Sequence, residues 1–302
     1  MAESKTEIIK LSYGNSDDLR ALLESIDSCG AMAPAIISKQ HYESFLKAKN
    51  NNIRKIFAAE MFCKLMQSIE DYGAFCLMWT EDEGNPLEKY LNVVTPRIIK
   101  FYRECSTTEC SDRIRKIWGI PTAEQLIRKN ILNADEKLSY EVFISKFIEE
   151  IERTFKQLKG FFQEAEDSSR KGDYGDIVNM YFNAKHGFKI MFSTKTSSKI
   201  GVTDGSLSIL IGPGILPTGD DILKYGKFRI DSKFVGGLFE RTKMIGEKLK
   251  ALAHVRLGQL NNEDSFVHGF RNWQNGLQGD SSIPDIVPST FWRRFIRFMT
   301  GA

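Results

Sequence analysis

The chain has 302 residues, 42% of them hydrophobic, and so carries enough apolar material to bury a large core. Its 27% charged residues and formal net charge of +3 exclude a disordered or collagen-like chain and lie far from the strongly basic balance of a dedicated nucleic-acid binder. Cys29, Cys63, Cys76, Cys105 and Cys110 are odd in number, and Cys63 and Cys76 stand among apolar residues, so they read as free thiols of a reducing compartment.

Helical periodicity dominates up to residue 186. Asn52 is the expected cap of a helix whose stripe runs through Ile53, Ile56, Phe57, Met61, Leu65, Ile69 and Tyr72. The unbroken apolar run from Ala74 to Trp79 makes this helix central, because it must be buried on more than one side. Pro86 opens a helix through Leu87, Leu91 and Val94, and Pro96 kinks or interrupts it before Ile98, Ile99, Phe101 and Tyr102. A short helix spans Ser111 to Trp118 with Gly119 as its stop, and Pro121 starts another. From about Ser139 the pattern Val142, Phe143, Phe147, Ile148, Ile151, Phe155 and Leu158 gives the longest clear helix. Asp173 or Asp176 begins a short one that runs to His186.

Beyond Gly187 the apolar period changes to two. Phe188, Ile190 and Phe192, then Leu207, Ile209 and Ile211, then Phe228 and Ile230 predict three antiparallel strands, with the "TDG" and "GPG" signals between them. The glycine-rich stretch 212–221 lacks the Lys-Ser/Thr of a phosphate-binding loop and reads as a strand connection. Helical pattern returns from Lys233 to Leu257, residues 258–288 read as irregular surface chain, and a last helix follows Ser289. The expected fold is mainly α: a multi-helix bundle in one composite domain, helical over 15–186, with a small inserted antiparallel β-sheet over about 188–232 and helices again over 233–257 and 289–300.

The densest cluster of reactive side chains is "NAKHG". Asn183, Lys185 and His186 followed by Gly187 describe either a helix end or a site. Glycine prefers the left-handed position past a helix terminus, and cations suit the final turn. As a site, Lys185 and His186 are the candidate catalytic groups and Asn183 the candidate substrate-binding group, acting on an anion or a nucleic-acid phosphate. This helix end running into an apolar strand resembles the HEPN superfamily of helical nucleotide- and RNA-associated domains. That resemblance implies a helical fold and an RNA or nucleotide partner. The active ribonucleases of that family carry an Arg four to six residues away from a His, whereas no Arg stands at that offset from His41, His186, His254 or His268.

Other chemistry finds little pattern. Glu60, Glu70 and Asp71 lie on a helix without His, so a di-iron carboxylate bundle is not indicated. His41 and Glu43 are two apart and do not share a helix face, and Cys105 and Cys110 have no His near them in sequence. Glu60 is the one carboxylate expected to be buried. No motif implies a cofactor or a metal. The C-terminal "STFWRRFIRFMTGA" forms an amphipathic helix with Phe291, Trp292, Phe295 and Ile296 on one side and Arg293, Arg294 and Arg297 on the other, an interaction surface for the chain's own core, a second copy or protein partner, or an anionic surface. The start "MAESKTEIIK" lacks a signal-peptide core and the longest uncharged run is broken by Gly and Pro, which predicts a cytoplasmic protein. The first functional expectation is a helical interaction protein, RNA- or nucleotide-associated and without strong catalytic activity. The alternatives are a nucleic-acid or nucleotide-processing enzyme using Lys185 and His186, and peripheral membrane association through the basic C-terminal helix.

Overall fold

The computed structural model describes residues 16–80, 85–105, 110–162, 176–184, 190–192, 194, 199, 202–215, 221–262 and 265–279. It is mainly α, with a three-stranded antiparallel sheet. Helices α1 (Ser16–Ser28), α2 (Ala33–Lys47) and α3 (Asn51–Leu77) open the chain. The α3 cap is Asn50 rather than the expected Asn52: its Oδ1 accepts from the Asn52 and Ile53 amides at 2.8 and 3.3 Å, because Asn50 is the last residue with extended backbone. Helix α3 is central, with Met61, Leu65, Met66, Ile69, Tyr72 and Phe75 fully buried. Burial on several sides follows from its nearly continuous apolar sequence.

Pro96 interrupts its helix, giving α4 (Pro86–Leu91) and α5 (Thr95–Glu104). Helices α6 (Cys110–Trp118), α7 (Ala123–Arg128) and α8 (Lys137–Lys159) follow. Thr122, one residue past the expected Pro121, starts α7 through a reciprocal capping box with Gln125. Aromatic edges join these helices: Trp118 meets Phe147 at 4.9 Å between ring centroids, and Phe101 meets Phe155 at 5.4 Å.

Helix α9 (Asp176–Ala184) leads to the sheet, whose strands β1 (Ile190–Met191), β2 (Ser206–Ile215) and β3 (Asp221–Arg229) stand in sequence order. Gly212, Pro213 and Gly214 do not separate strands as expected. They belong to β2 and pair with Lys224, Leu223 and Ile222. A β-bulge reconciles them with the ladder: Leu210 pairs with Tyr225 and Gly212 with Lys224, which leaves Ile211 as the extra residue. Helix α9 sits against β3 at Gly226, where a Cβ would overlap the Met180 side chain.

Helix α10 (Ser232–Leu260) is longer than α8, the longest expected from the sequence, and α11 (Ser265–Gly279) occupies part of the stretch read as irregular chain. Phe266 and Phe270 of α11 are 1% and 0% exposed, and both meet rings of α8. Buried side chains from the helices and the sheet form one continuous hydrophobic cluster. The polar end of α10 closes α6: the Arg256 guanidinium donates to the Ile117 carbonyl at 2.9 Å and to the Lys116 carbonyl, and Gln259 Nε2 donates to Trp118 O at 3.1 Å and Gly119 O at 2.8 Å. These are the carbonyls a helix C-terminus leaves orphaned. Gly119 turns the chain beneath them with φ at 61°, in the left-handed region.

Candidate functional site

Asn183, the described candidate site residue of the "NAKHG" cluster, spends its amide on structure. Its Nδ2 donates to Leu210 O and to Ile211 O, each at 2.7 Å. Those are the two carbonyls at the β2 bulge, so Asn183 pins the end of α9 to the place where the ladder is interrupted. Lys185, His186, Arg293, Arg294 and Arg297 lie outside the described residues, as does the expected C-terminal helix, so the structure bears on neither the catalytic nor the basic-surface expectation.

Two residues earlier on α9, the Tyr181 hydroxyl donates to Glu70 Oε2 at 2.7 Å, while Thr95 Oγ1 donates to Glu70 Oε1 at 2.9 Å. Both carboxylate oxygens of Glu70 are thereby engaged between α3, α5 and α9. Burial, reinforced by the adjacent Glu70 charge, pushes the Asp71 carboxyl up to about 6. Burial and then the hydrogen bond to Glu70 push the Tyr181 phenol up. This cluster ties three helices together. Glu60, the carboxylate expected to be buried, is exposed on α3. Glu43 forms a surface pair with Lys39 at 4.0 Å, and His41 lies against the Phe57 ring.

A different place has the form of a binding site. Where α3, α8 and α10 meet, a cavity of about 380 Å³ is lined by Leu65, Gln157, Leu158, Phe161, Arg241, Met244 and Ile245. Leu65, Leu158 and Ile245 are 0%, 2% and 1% exposed and belong to the core, so they close the cavity's buried end. Gln157 and Arg241 are exposed. Phe161 and Met244 are half-buried and stand between these levels. The Arg241 guanidinium lies 5.8 Å from the Phe161 ring centroid, a contact that steers the side chain along the wall. The site thus grades from hydrocarbon at its base to a cation at its rim. A volume of a few hundred Å³ with apolar walls and few polar groups is the usual form of a small-molecule pocket.

One turn further along α10, Lys248 is 2% exposed and its ammonium lies 3.7 Å from Glu150 Oε1 of α8. Burial pushes Lys248 down to about 7, against the opposing pull of Glu150. Glu150 also accepts from Arg153 at 3.1 Å. This pair joins α8 and α10 beside the cavity residues.

The sequence reading missed the cavity because its walls come from three helices far apart in the chain. One signal was present. In the α10 stripe Leu238, Ile245, Leu249 and Leu252, the turn between Leu238 and Ile245 falls on Arg241 and Thr242, a polar interruption on a core-facing side. Among the described residues no group of three or more His, Cys, Asp and Glu residues stands together as a metal site, and no helix is long and apolar enough to cross a membrane. No family model, curated protein or solved structure matches the chain.

Proposed function

We infer that the chain is a helical binding protein whose cavity between α3, α8 and α10 takes a small amphiphilic anion, its apolar end directed inward and its charged end at Arg241. The observation that carries this reading is the gradient in the cavity: core residues Leu65, Leu158 and Ile245 at one end and an exposed guanidinium at the other. Arg241 contacts the Phe161 ring at the rim, and a guanidinium there suits a carboxylate or phosphate head. An apolar tail gains from leaving water, and the head keeps its solvation at the rim.

Titration calorimetry with decanoate, decanol and decylammonium tests the reading directly. Decanoate is expected to saturate one site and to bind more tightly than the other two. Arg241→Glu is expected to weaken decanoate about tenfold, corresponding to about 1.4 kcal/mol. Met244→Trp, which fills the cavity from its wall, is expected to abolish binding of all three probes. Absence of saturable decanoate binding by the folded chain would sink the proposal, and equal affinity for decanol would remove the role given to Arg241.

A further inference from the structure

Two contacts between α8 and α10 bracket the cavity. At one end the Arg241 guanidinium lies 5.8 Å from the Phe161 ring centroid, and at the other the Lys248 ammonium lies 3.7 Å from Glu150 Oε1. Passing from the first contact to the second, α10 advances while α8 runs back, so the two helices are antiparallel. Met244 and Ile245 of α10 and Gln157 and Leu158 of α8 line the space between the contacts. Arg241 and Lys248 stand about two turns apart, about 10 Å along the helix. The hydrocarbon wall is therefore short and has a cation beyond each end: an exposed guanidinium at the rim, and one turn past Ile245 an ammonium that is 2% exposed. Leu65, Leu158 and Ile245 belong to the core and shut the inner end before that ammonium is reached.

Resting on the reading of this cavity as a site for an amphiphilic anion, we propose that it sorts ligands by length and takes unbranched monocarboxylates of up to about twelve carbons. The limit follows from size: at about 30 Å³ for each methylene, close to a water molecule's share of the liquid, about 380 Å³ has room for about twelve carbons. Up to that length each added methylene leaves water for the apolar walls. A longer chain has two courses. It can push past Leu65, Leu158 and Ile245, which overpacks the core and brings hydrocarbon against the Lys248 ammonium and the Glu150 carboxylate. Otherwise it backs out, which leaves apolar surface in water and carries the carboxylate away from Arg241. The head group is set by the rim. Among the described lining residues Arg241 is the one cation, and its planar fork matches the two oxygens and single charge of a carboxylate, whereas a phosphate dianion keeps a charge unmatched.

Titration calorimetry of the full chain with the saturated carboxylates from hexanoate to hexadecanoate, each below its micellar concentration, reads the limit directly. Affinity is expected to rise about fourfold with each methylene as far as about dodecanoate, and to stop rising or to fall at tetradecanoate and hexadecanoate. Dodecyl phosphate is expected to bind several-fold more weakly than dodecanoate. Ile245→Ala, with its fold checked by circular dichroism, lowers the floor and is expected to move the tightest ligand up by about three carbons, the number removed from the side chain. Affinity that keeps rising through hexadecanoate, or tighter binding of dodecyl phosphate, overturns the proposal while leaving the amphiphilic-anion reading in place. Failure of every carboxylate to bind overturns both, so the two failures are told apart. The length series uses the unaltered chain, and a variant that does not fold therefore gives the proposal no shelter.

Discussion

Two positions on α10 solve the burial of a cation in opposite ways. At the C-terminal end Arg256 is surrounded by acceptors, the Lys116 and Ile117 carbonyls and Gln259 Oε1, and its guanidinium lies 4.2 Å from the Trp79 ring centroid. Burial lowers Arg256 to about 9, so its charge persists at neutral pH and faces the negative end of α6. In the middle of the helix Lys248 is more deeply buried, and the carboxylate facing it, Glu150, stands at 3.7 Å and also serves Arg153. There burial lowers the ammonium to about 7, where its charge is easily lost. A planar donor held by several fixed acceptors makes a clamp, while a buried point charge 3.7 Å from the carboxylate facing it makes a titratable weak spot. The cavity opens beside the second arrangement, on the same two helices.

Breaking the clamp should have the largest effect. Arg256→Ala removes the guanidinium from the Lys116 and Ile117 carbonyls and from the Trp79 ring, and should cost about 3 kcal/mol of folding free energy. Urea denaturation should show a lower midpoint with an unchanged slope. A loss under about 1 kcal/mol would mean that water replaces the guanidinium and that the clamp contributes little.

Gly119→Ala attacks the same clamp from the opposite strand of chain. The left-handed backbone costs a side-chain-bearing residue about 1 to 2 kcal/mol, and the added Cβ would overlap Gln259 and Arg256 side-chain atoms. Destabilisation of about 2 kcal/mol is expected in the same assay. Since both substitutions disrupt one structure, the double variant should lose less than the sum of the two, and strict additivity would show that Gly119 and Arg256 act separately.

The contrast within α10 also marks where sequence patterning stopped being informative. The apolar stripe through Leu238, Ile245, Leu249 and Leu252 was readable because it repeats at the helical period. Arg256 and Gln259 were not, because their partners Lys116 to Gly119 lie about 140 residues earlier and no local period records them. Helix α11 was hidden for another reason. Its asparagines and Gly269 carry poor helix propensity, yet Phe266, Phe270 and Trp273 fall three and four apart and pack against α8. Gly212-Pro213-Gly214 has the chemistry of a turn, and only the bulge at Ile211 and the Asn183 amide accommodate it within a strand. In each case tertiary contacts outweighed a local preference. Asn183 was read as a candidate substrate-binding group, and its amide bonds to the Leu210 and Ile211 carbonyls of β2 were beyond what the cluster's spacing could record.

The smallest expected effect separates the two cations by pH. Lys248 has a folded-state value of about 7, below its ordinary 10.5, so between these values the unfolded chain holds more protons than the folded one. Stability from this group should therefore be greatest above 10.5 and should fall as pH drops toward 7, because the proton then charges a buried amine. Lys248→Met removes that slope and leaves Glu150 with Arg153 as its partner. Below pH 7, where the penalty is complete, the variant should be more stable than the natural chain by about 1 kcal/mol, the lower end of what replacing a buried charge yields. Melting temperatures recorded from pH 6 to 9 would show the difference between the two proteins narrowing as pH rises. Arg256 supplies the contrast: its charge stays on across most of this range, so a variant there should lose stability at every pH without changing the slope. If Lys248→Met instead loses stability at pH 6, the Glu150 contact outweighs the desolvation of the ammonium, and the middle of α10 is a second clamp.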